Sequence, residues 1–311
     1  MRNLLNKKIK LFWYKLDKGY GNFGDEINPY LLQKLTNKEV EWTSPYYGSL
    51  LDSAKSIIFM LFVERKSFLK VRKSTAWNRL FNLQIILAIG SMIRYADVNV
   101  KVWGAGIITK DENIPKAKFL AVRGKYTQKR LHELGYQVPD TVGDPAILLP
   151  LVFSKENIKK FKVGIIPHHF HYDFFKEKFS NNEISVIDLL LPVEKIISSI
   201  LECEITLCTS LHGIIVSHTY GIPSIWIFSV GNVKKRSGDD IKFADYFSSV
   251  HLKEYLPIEL KIKDLDNLDD YIQYVISNYS EILLPREANL ITIRKKLLCV
   301  APFKILKKYR I

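Results

Sequence analysis

The hexapeptide Cys208-Thr209-Ser210-Leu211-His212-Gly213 joins an apolar run to a helical pattern and puts a histidine in the turn between them. An imidazole there can give or take a proton near neutral pH; as a lone residue it reads equally as a structural histidine. Val122-Arg123-Gly124-Lys125-Tyr126-Thr127 is a second strand-to-helix turn. A guanidinium at such a strand end can grip phosphate or carboxylate in a bidentate fork, the alternative being an ordinary surface arginine. In Gly19-Tyr20-Gly21-Asn22-Phe23-Gly24-Asp25 the glycines let backbone N–H groups approach an anion ahead of a helix. Asp25 could equally cap that helix. Trp103-Gly104-Ala105-Gly106 offers small residues for close approach of a substrate or of another backbone. Pro167-His168-His169-Phe170-His171 crowds histidines beyond a further strand, with His168 expected to line a cleft. No His-Glu-x-x-His pattern or carboxylate at ligand spacing accompanies them, so no metal is expected. Asp144, in Gly143-Asp144-Pro145, either orients a neighbour or starts a turn.

These turns need strands and helices to hold them. Short apolar runs alternate with helical patterns, which predicts α/β units with parallel sheets. Strands are expected over 10–14, 83–89, 98–103 and 119–122, with helices over 27–35 and 126–134. After a polar linker at 151–162 a second series follows: strands over 162–166, 184–189, 205–208 and 224–228, helices over 193–202, 213–220 and 268–283. The expected architecture is two Rossmann-like, doubly wound domains facing across a cleft, 1–150 and 163–285. Ligands in such sheets sit beyond the carboxyl ends of the strands, where the turns above lie.

A chain of 311 residues suits two domains, and 47% hydrophobic with 25% charged residues excludes disordered and low-complexity classes. Cys203, Cys208 and Cys299 make no disulfide framework and no Cys-x-x-Cys pair, which fits a reducing compartment. No signal-peptide pattern is read at the start and no apolar run approaches a membrane span. The net charge of +14 is concentrated. Residues 286–311 carry +7 and residues 51–80 carry +5. Both segments mix their cations with bulky apolar residues, which suits an anionic membrane surface better than nucleic acid. The alternative for 286–311 is a terminal helix whose stripe of Leu290, Ile293, Leu297 and Val300 packs on the body. The expected location is the cytoplasm, peripheral on the inner face of the membrane.

In order and spacing the set resembles the polysaccharide pyruvyltransferase family, in its bacterial capsule and exopolysaccharide branch. The resemblance rests on Gly21-Asn22-Phe23-Gly24-Asp25, Val102-Trp103-Gly104-Ala105-Gly106, Val122-Arg123-Gly124, Gly143-Asp144-Pro145, Ile166-Pro167-His168 and, above all, Ser210-Leu211-His212-Gly213 with Tyr220-Gly221-Ile222-Pro223. Lys242-Phe243 and Asp245-Tyr246-Phe247 extend it. The resemblance implies a fold like the GT-B glycosyltransferases and transfer of pyruvate from phosphoenolpyruvate to two sugar hydroxyls as a cyclic ketal, with no further cofactor. It implies His212 as general acid and Arg123 as a catalytic donor ligand. Ser210, Leu211, Gly213 and His168 would border the donor; Gly21, Asn22, Asp25, Gly104 and Gly106 would border the acceptor, an oligosaccharide on polyprenyl diphosphate. Some relatives carry a basic residue where Ser210 stands, so Lys125, Lys234, Lys235 or Arg236 could supply that charge. The rival is a nucleotide-sugar glycosyltransferase of the same fold class, for which no diphosphate-holding cluster stands out in the second half; a third reading is a non-catalytic membrane-surface protein.

Overall fold

The computed structural model describes residues 8–15, 22–45, 49–81, 83–156, 158–179, 181–228 and 238–310. The N-terminal half contains β1 (Ile9–Phe12), α1 (Phe23–Thr36), β2 (Val40–Trp42), α2 (Leu50–Phe62), α3 (Phe68–Val71), α4 (Thr75–Leu80), β3 (Ile85–Leu87), β4 (Val100–Trp103), β5 (Lys118–Ala121), α5 (Lys125–Glu133) and α6 (Leu149–Val152). The C-terminal half continues with β6 (Phe161–Ile166), α7 (Tyr172–Phe179), β7 (Ile184–Val186), α8 (Val193–Leu201), β8 (Cys203–Cys208), α9 (Leu211–Thr219), β9 (Ser224–Phe228), α10 (Ile241–Val250), β10 (Ile258–Glu259), α11 (Leu268–Leu283) and α12 (Glu287–Cys299).

Each half builds a five-stranded sheet, in the orders β2-β1-β3-β4-β5 and β7-β6-β8-β9-β10. All the strand pairs are parallel. The two orders are the same doubly wound pattern, so each sheet reverses direction once, between β1 and β3 and between β6 and β8. Helices on both faces explain why β3 and β9 read as nearly continuous apolar runs. The edge strands β2 and β10 were absent from the sequence expectation; they span three and two residues, too few to show a pattern.

The apolar core does not stop between the two sheets. One cluster runs from Leu11, Ile27 and Val102 through Ile166, Leu211 and Ile214 to Leu290 and Leu297. Polar ties cross at the same place: Phe23 N–H donates to Leu189 O at 2.9 Å, and the Tyr30 hydroxyl to Glu194 Oε1 at 2.8 Å.

The end of the chain departs from a free basic tail. Leu290, Ile293 and Leu297 of α12 are buried, and so is Ile305 beyond it. Arg294 donates to Ile147 O at 3.0 Å and to Thr219 O at 3.1 Å, and Trp103 Nε1 donates to Leu297 O at 2.9 Å. Gly143, at φ 145°, faces Ile293 with no room for a Cβ. Each buried aliphatic side chain is worth about 1.5–3 kcal/mol, so the stripe that could have faced lipid instead seals the back of the N-terminal half.

Candidate active site

Four strand exits meet in one place. The chain leaving β1 supplies Tyr14, Asn22 and Asp25; that leaving β3 supplies Gly90, Ser91 and Met92, with Arg94 and Tyr95 close behind. The exit of β6 supplies His168, His169 and Phe170, and that of β8 supplies Ser210, Leu211 and His212. These strands flank the reversal points of the two sheets, and together with Ile108 and Lys242 their exits line a cavity of about 470 Å³.

The β1 and β3 exits are fixed to each other by Asn28, a wholly buried residue inside α1. Its Oδ1 accepts from Ile89 N–H at 2.8 Å and its Nδ2 donates to Ile89 O at 3.1 Å, so the side chain pairs like a strand. Pro29 follows it and has no N–H for the Asp25 carbonyl one turn back. Asn28 Nδ2 reaches that carbonyl at 3.2 Å.

His212 stands in the first turn of α9. Ser210 occupies the cap position without a side-chain hydrogen bond to the helix, so the amino end of α9 opens toward the cavity. Its partial positive charge favours an anion there. The imidazole lies flat against Gly24, where a Cβ would come within 2.7 Å of ring atoms Cγ and Cε1. This contact, rather than a backbone conformation, is what requires glycine in Asn22-Phe23-Gly24-Asp25.

On the other side, His212 Nε2 lies 3.6 Å from Asp144 Oδ2, a carboxylate with no solvent exposure. Asp144 Oδ1 accepts from Ala146 N–H at 2.9 Å, which fixes the turn, while Oδ2 and His212 Nε2 have no hydrogen-bond partner among the described residues. The gap is slightly longer than a hydrogen bond, as acid–base pairs often are before substrate binds. Burial pushes the Asp25 carboxyl up to about 7, opposed in part by attraction to His212. The Asp25 carboxyl and the His212 imidazole thus share the cavity with the cations Arg94 and Lys242.

The profile of the polysaccharide pyruvyl transferase family matches residues 22–228. The chain belongs to that family. It is therefore a pyruvyltransferase of polysaccharide biosynthesis by kind, and the matched span contains Asp25, Asp144, His168 and His212. Among similar proteins is uncharacterized protein L143 of Acanthamoeba polyphaga mimivirus, 31% identical over 231 residues, covering 71% of this chain and 77% of that one.

In this pyruvyltransferase the predicted residues divide. Asn22, Asp25, His168, Ser210, Leu211 and His212 line the cavity, and Gly213 follows within α9, against Ile166. Arg123 does not line it. Its guanidinium is wholly buried and donates to Asp245 Oδ2 at 3.0 Å, Ser91 Oγ at 2.6 Å and Ile107 O at 2.6 Å. Gly106 backs onto that guanidinium and pairs with Gly90, and Gly104 packs on Pro145; neither lines the cavity. Lys125 is exposed and also outside the lining. Gly21, Lys234, Lys235 and Arg236 lie outside the described residues.

The sequence leaves Asp144 open between a turn and an orienting role; the structure shows the turn, with the second carboxylate oxygen 3.6 Å from His212 Nε2 and not hydrogen-bonded to it. Sequence reasoning gave no role to Ser91, Arg94 or His169. Arg94 carried no signal of its own, because the motif that holds it shows only once β3 and β1 are neighbours. Lys242 belongs to a motif but not to the expected site; α10, which follows β9 in the chain, brings it to the cavity wall.

Proposed function

We propose that the protein transfers pyruvate from phosphoenolpyruvate to two hydroxyls of a sugar, forming a cyclic ketal and releasing phosphate. The observation that carries this reading is His212, at an open helix end, between buried Asp144 and the cationic side of the cavity. Phosphoenolpyruvate is a small polyanion, and the amino end of α9 with Arg94 and Lys242 suits its phosphate and carboxylate. Arg123 acts one residue behind, holding Ser91 on the wall.

In this reading His212 donates a proton to the methylene carbon of the enol, and Asp144 steadies the imidazolium that gives it. The cation developing at C2 is attacked by one sugar hydroxyl, whose proton passes to Asp25. Phosphate then leaves with its bonding electron pair. The second hydroxyl attacks the same carbon and passes its proton to His212, which closes the ring and restores the acid, while the proton held by Asp25 leaves with the phosphate. No other cofactor enters these steps. The acceptor we favour is an oligosaccharide on a polyprenyl diphosphate carrier, of the kind used for bacterial capsule or exopolysaccharide.

The test is to supply phosphoenolpyruvate with galactose- or hexosamine-containing acceptors, measuring phosphate release and a new ketal methyl signal by NMR. Stabilisation by nucleoside diphosphates, with no response to phosphoenolpyruvate, would replace this reading by a nucleotide-sugar glycosyltransferase.

A further inference from the structure

Between β2 and β3 the chain makes a helical excursion, α2 to α4, whose buried apolar cluster consists of Ile57, Val71 and Ala76. The local signals are strong. Ser49 and Asp52 form a reciprocal capping box at the start of α2, and Ser74 caps α4 by accepting from Trp77 N–H at 3.1 Å. Trp77 is wedged between Phe68, edge-on at 5.3 Å, and Phe81, stacked at 4.1 Å. Arg79 anchors the base to Asp97 at 3.3 Å. These devices give the excursion a defined shape while leaving most of its large apolar residues exposed.

At its outer turn every residue from Phe62 to Lys70 is exposed. Phe62 is 75% exposed, Leu69 70%, Val63 64% and Phe68 55%, with Ile58 and Phe59 exposed on the last turns of α2. Lys55, Arg65, Lys66, Lys70, Arg72 and Lys73 surround them and are exposed too. Lys66 pairs with Glu64 at 2.8 Å, whereas Arg65, Lys70 and Lys73 have no ion-pair partner among the described residues.

We propose that this excursion docks the protein on an anionic phospholipid surface, its apolar turn entering the headgroup region and its cations facing the lipid phosphates. A contiguous apolar surface of this kind marks an interaction site. The charge decides what covers it. Residues 51–80 carry +5, so a two-fold contact with a second copy would bring that charge against itself. Nucleic acid would answer the cations and leave the phenylalanines and leucines in water. An anionic bilayer answers both. The excursion leaves its sheet at the carboxyl end of β2 and returns at the amino end of β3, where Arg79 meets Asp97. The inference rests on the excursion alone and holds whichever sugar acceptor is used.

The experiment is co-sedimentation of the full chain with vesicles of phosphatidylcholine alone or enriched in phosphatidylglycerol. Binding is expected to the anionic vesicles only, and to weaken as salt rises from about 0.05 to 0.5 M. Replacing Arg65, Lys70 and Lys73 by Gln should weaken partition about a hundredfold. Phe62→Ser with Phe68→Ser and Leu69→Ser should abolish it, circular dichroism confirming the fold. Equal binding to both vesicles, or wild-type binding by either variant, overturns the proposal. So does self-association in analytical ultracentrifugation that the serine variant abolishes, which would assign the face to a second copy.

Discussion

Asp144 and Asp245 are both carboxylates with no solvent exposure, and each faces a basic side chain, yet they are satisfied in opposite ways. Asp245 accepts from Arg123 Nε, from Thr127 N–H at 2.9 Å and from Thr127 Oγ1 at 2.7 Å, while Arg123 spends its other contacts on Ser91 and Ile107. Asp144 keeps one oxygen without a hydrogen bond, aimed at an imidazole that also lacks one at that nitrogen. A saturated buried pair ties two elements together, here α5 and α10 from opposite halves of the chain. An unsaturated pair leaves capacity to hold a charge that appears only when a proton moves. The difference separates Arg123, whose guanidinium is fully bonded within the protein, from His212, whose Nε2 is left without a hydrogen bond among the described residues.

The comparison can be broken most directly at His212. His212→Ala should lower phosphate release by about 10²–10⁴-fold with little change in melting temperature. Retention of full rate would remove His212 from the chemistry. Arg123→Met should do the opposite, costing about 3–5 kcal/mol of stability in urea titration because it strands a buried carboxylate. Asp245→Leu in the same chain should restore much of that loss. An Arg123→Met protein that unfolds like wild type but fails to bind phosphoenolpyruvate would make Arg123 a ligand instead.

Asp25 gives a pH signature. The folded state holds its proton up to about 7, against 3.8 as the ordinary value. Between those values the native protein binds more protons than the unfolded chain, so this contribution is present below pH 4 and lost as pH rises through 7. Asp25→Asn should therefore gain stability relative to wild type at pH 8, on the order of 3 kcal/mol, and little at pH 4. Chemical denaturation at the two pH values reads the difference. The smallest effect is expected from Asp144→Asn, which keeps the acceptor for Ala146 N–H and loses only the charge facing His212. The rate should fall about 10–100-fold with the fold intact.

Much of the site was legible as local chemistry. The turn at 208–213 declares its histidine, and Asn22 and Asp25 announce a helix start that also borders the cavity. Gly24 was legible as a glycine but not for its reason, which is the ring of His212 from the other sheet. Arg123 shows the converse. Its strand-to-helix turn was read correctly, but its burial depends on α10, whose Asp245 lies in a distant stretch of chain.

The two basic amphipathic segments mark the same boundary at larger scale. By itself the sequence determined their charge, their apolar stripes, most of the strands, about half of the helices, and the family's motifs. All of these follow from periodicity and residue type within a few turns of chain. Only the tertiary structure decided that α12 turns its stripe onto Trp103 and Gly143 while α2 to α4 leave theirs in solvent. Periodicity says which face of a helix is apolar; what covers that face depends on how strands far apart in sequence are ordered in their sheets. The same ordering brings Asp144 to His212 and makes four separate turns one cavity.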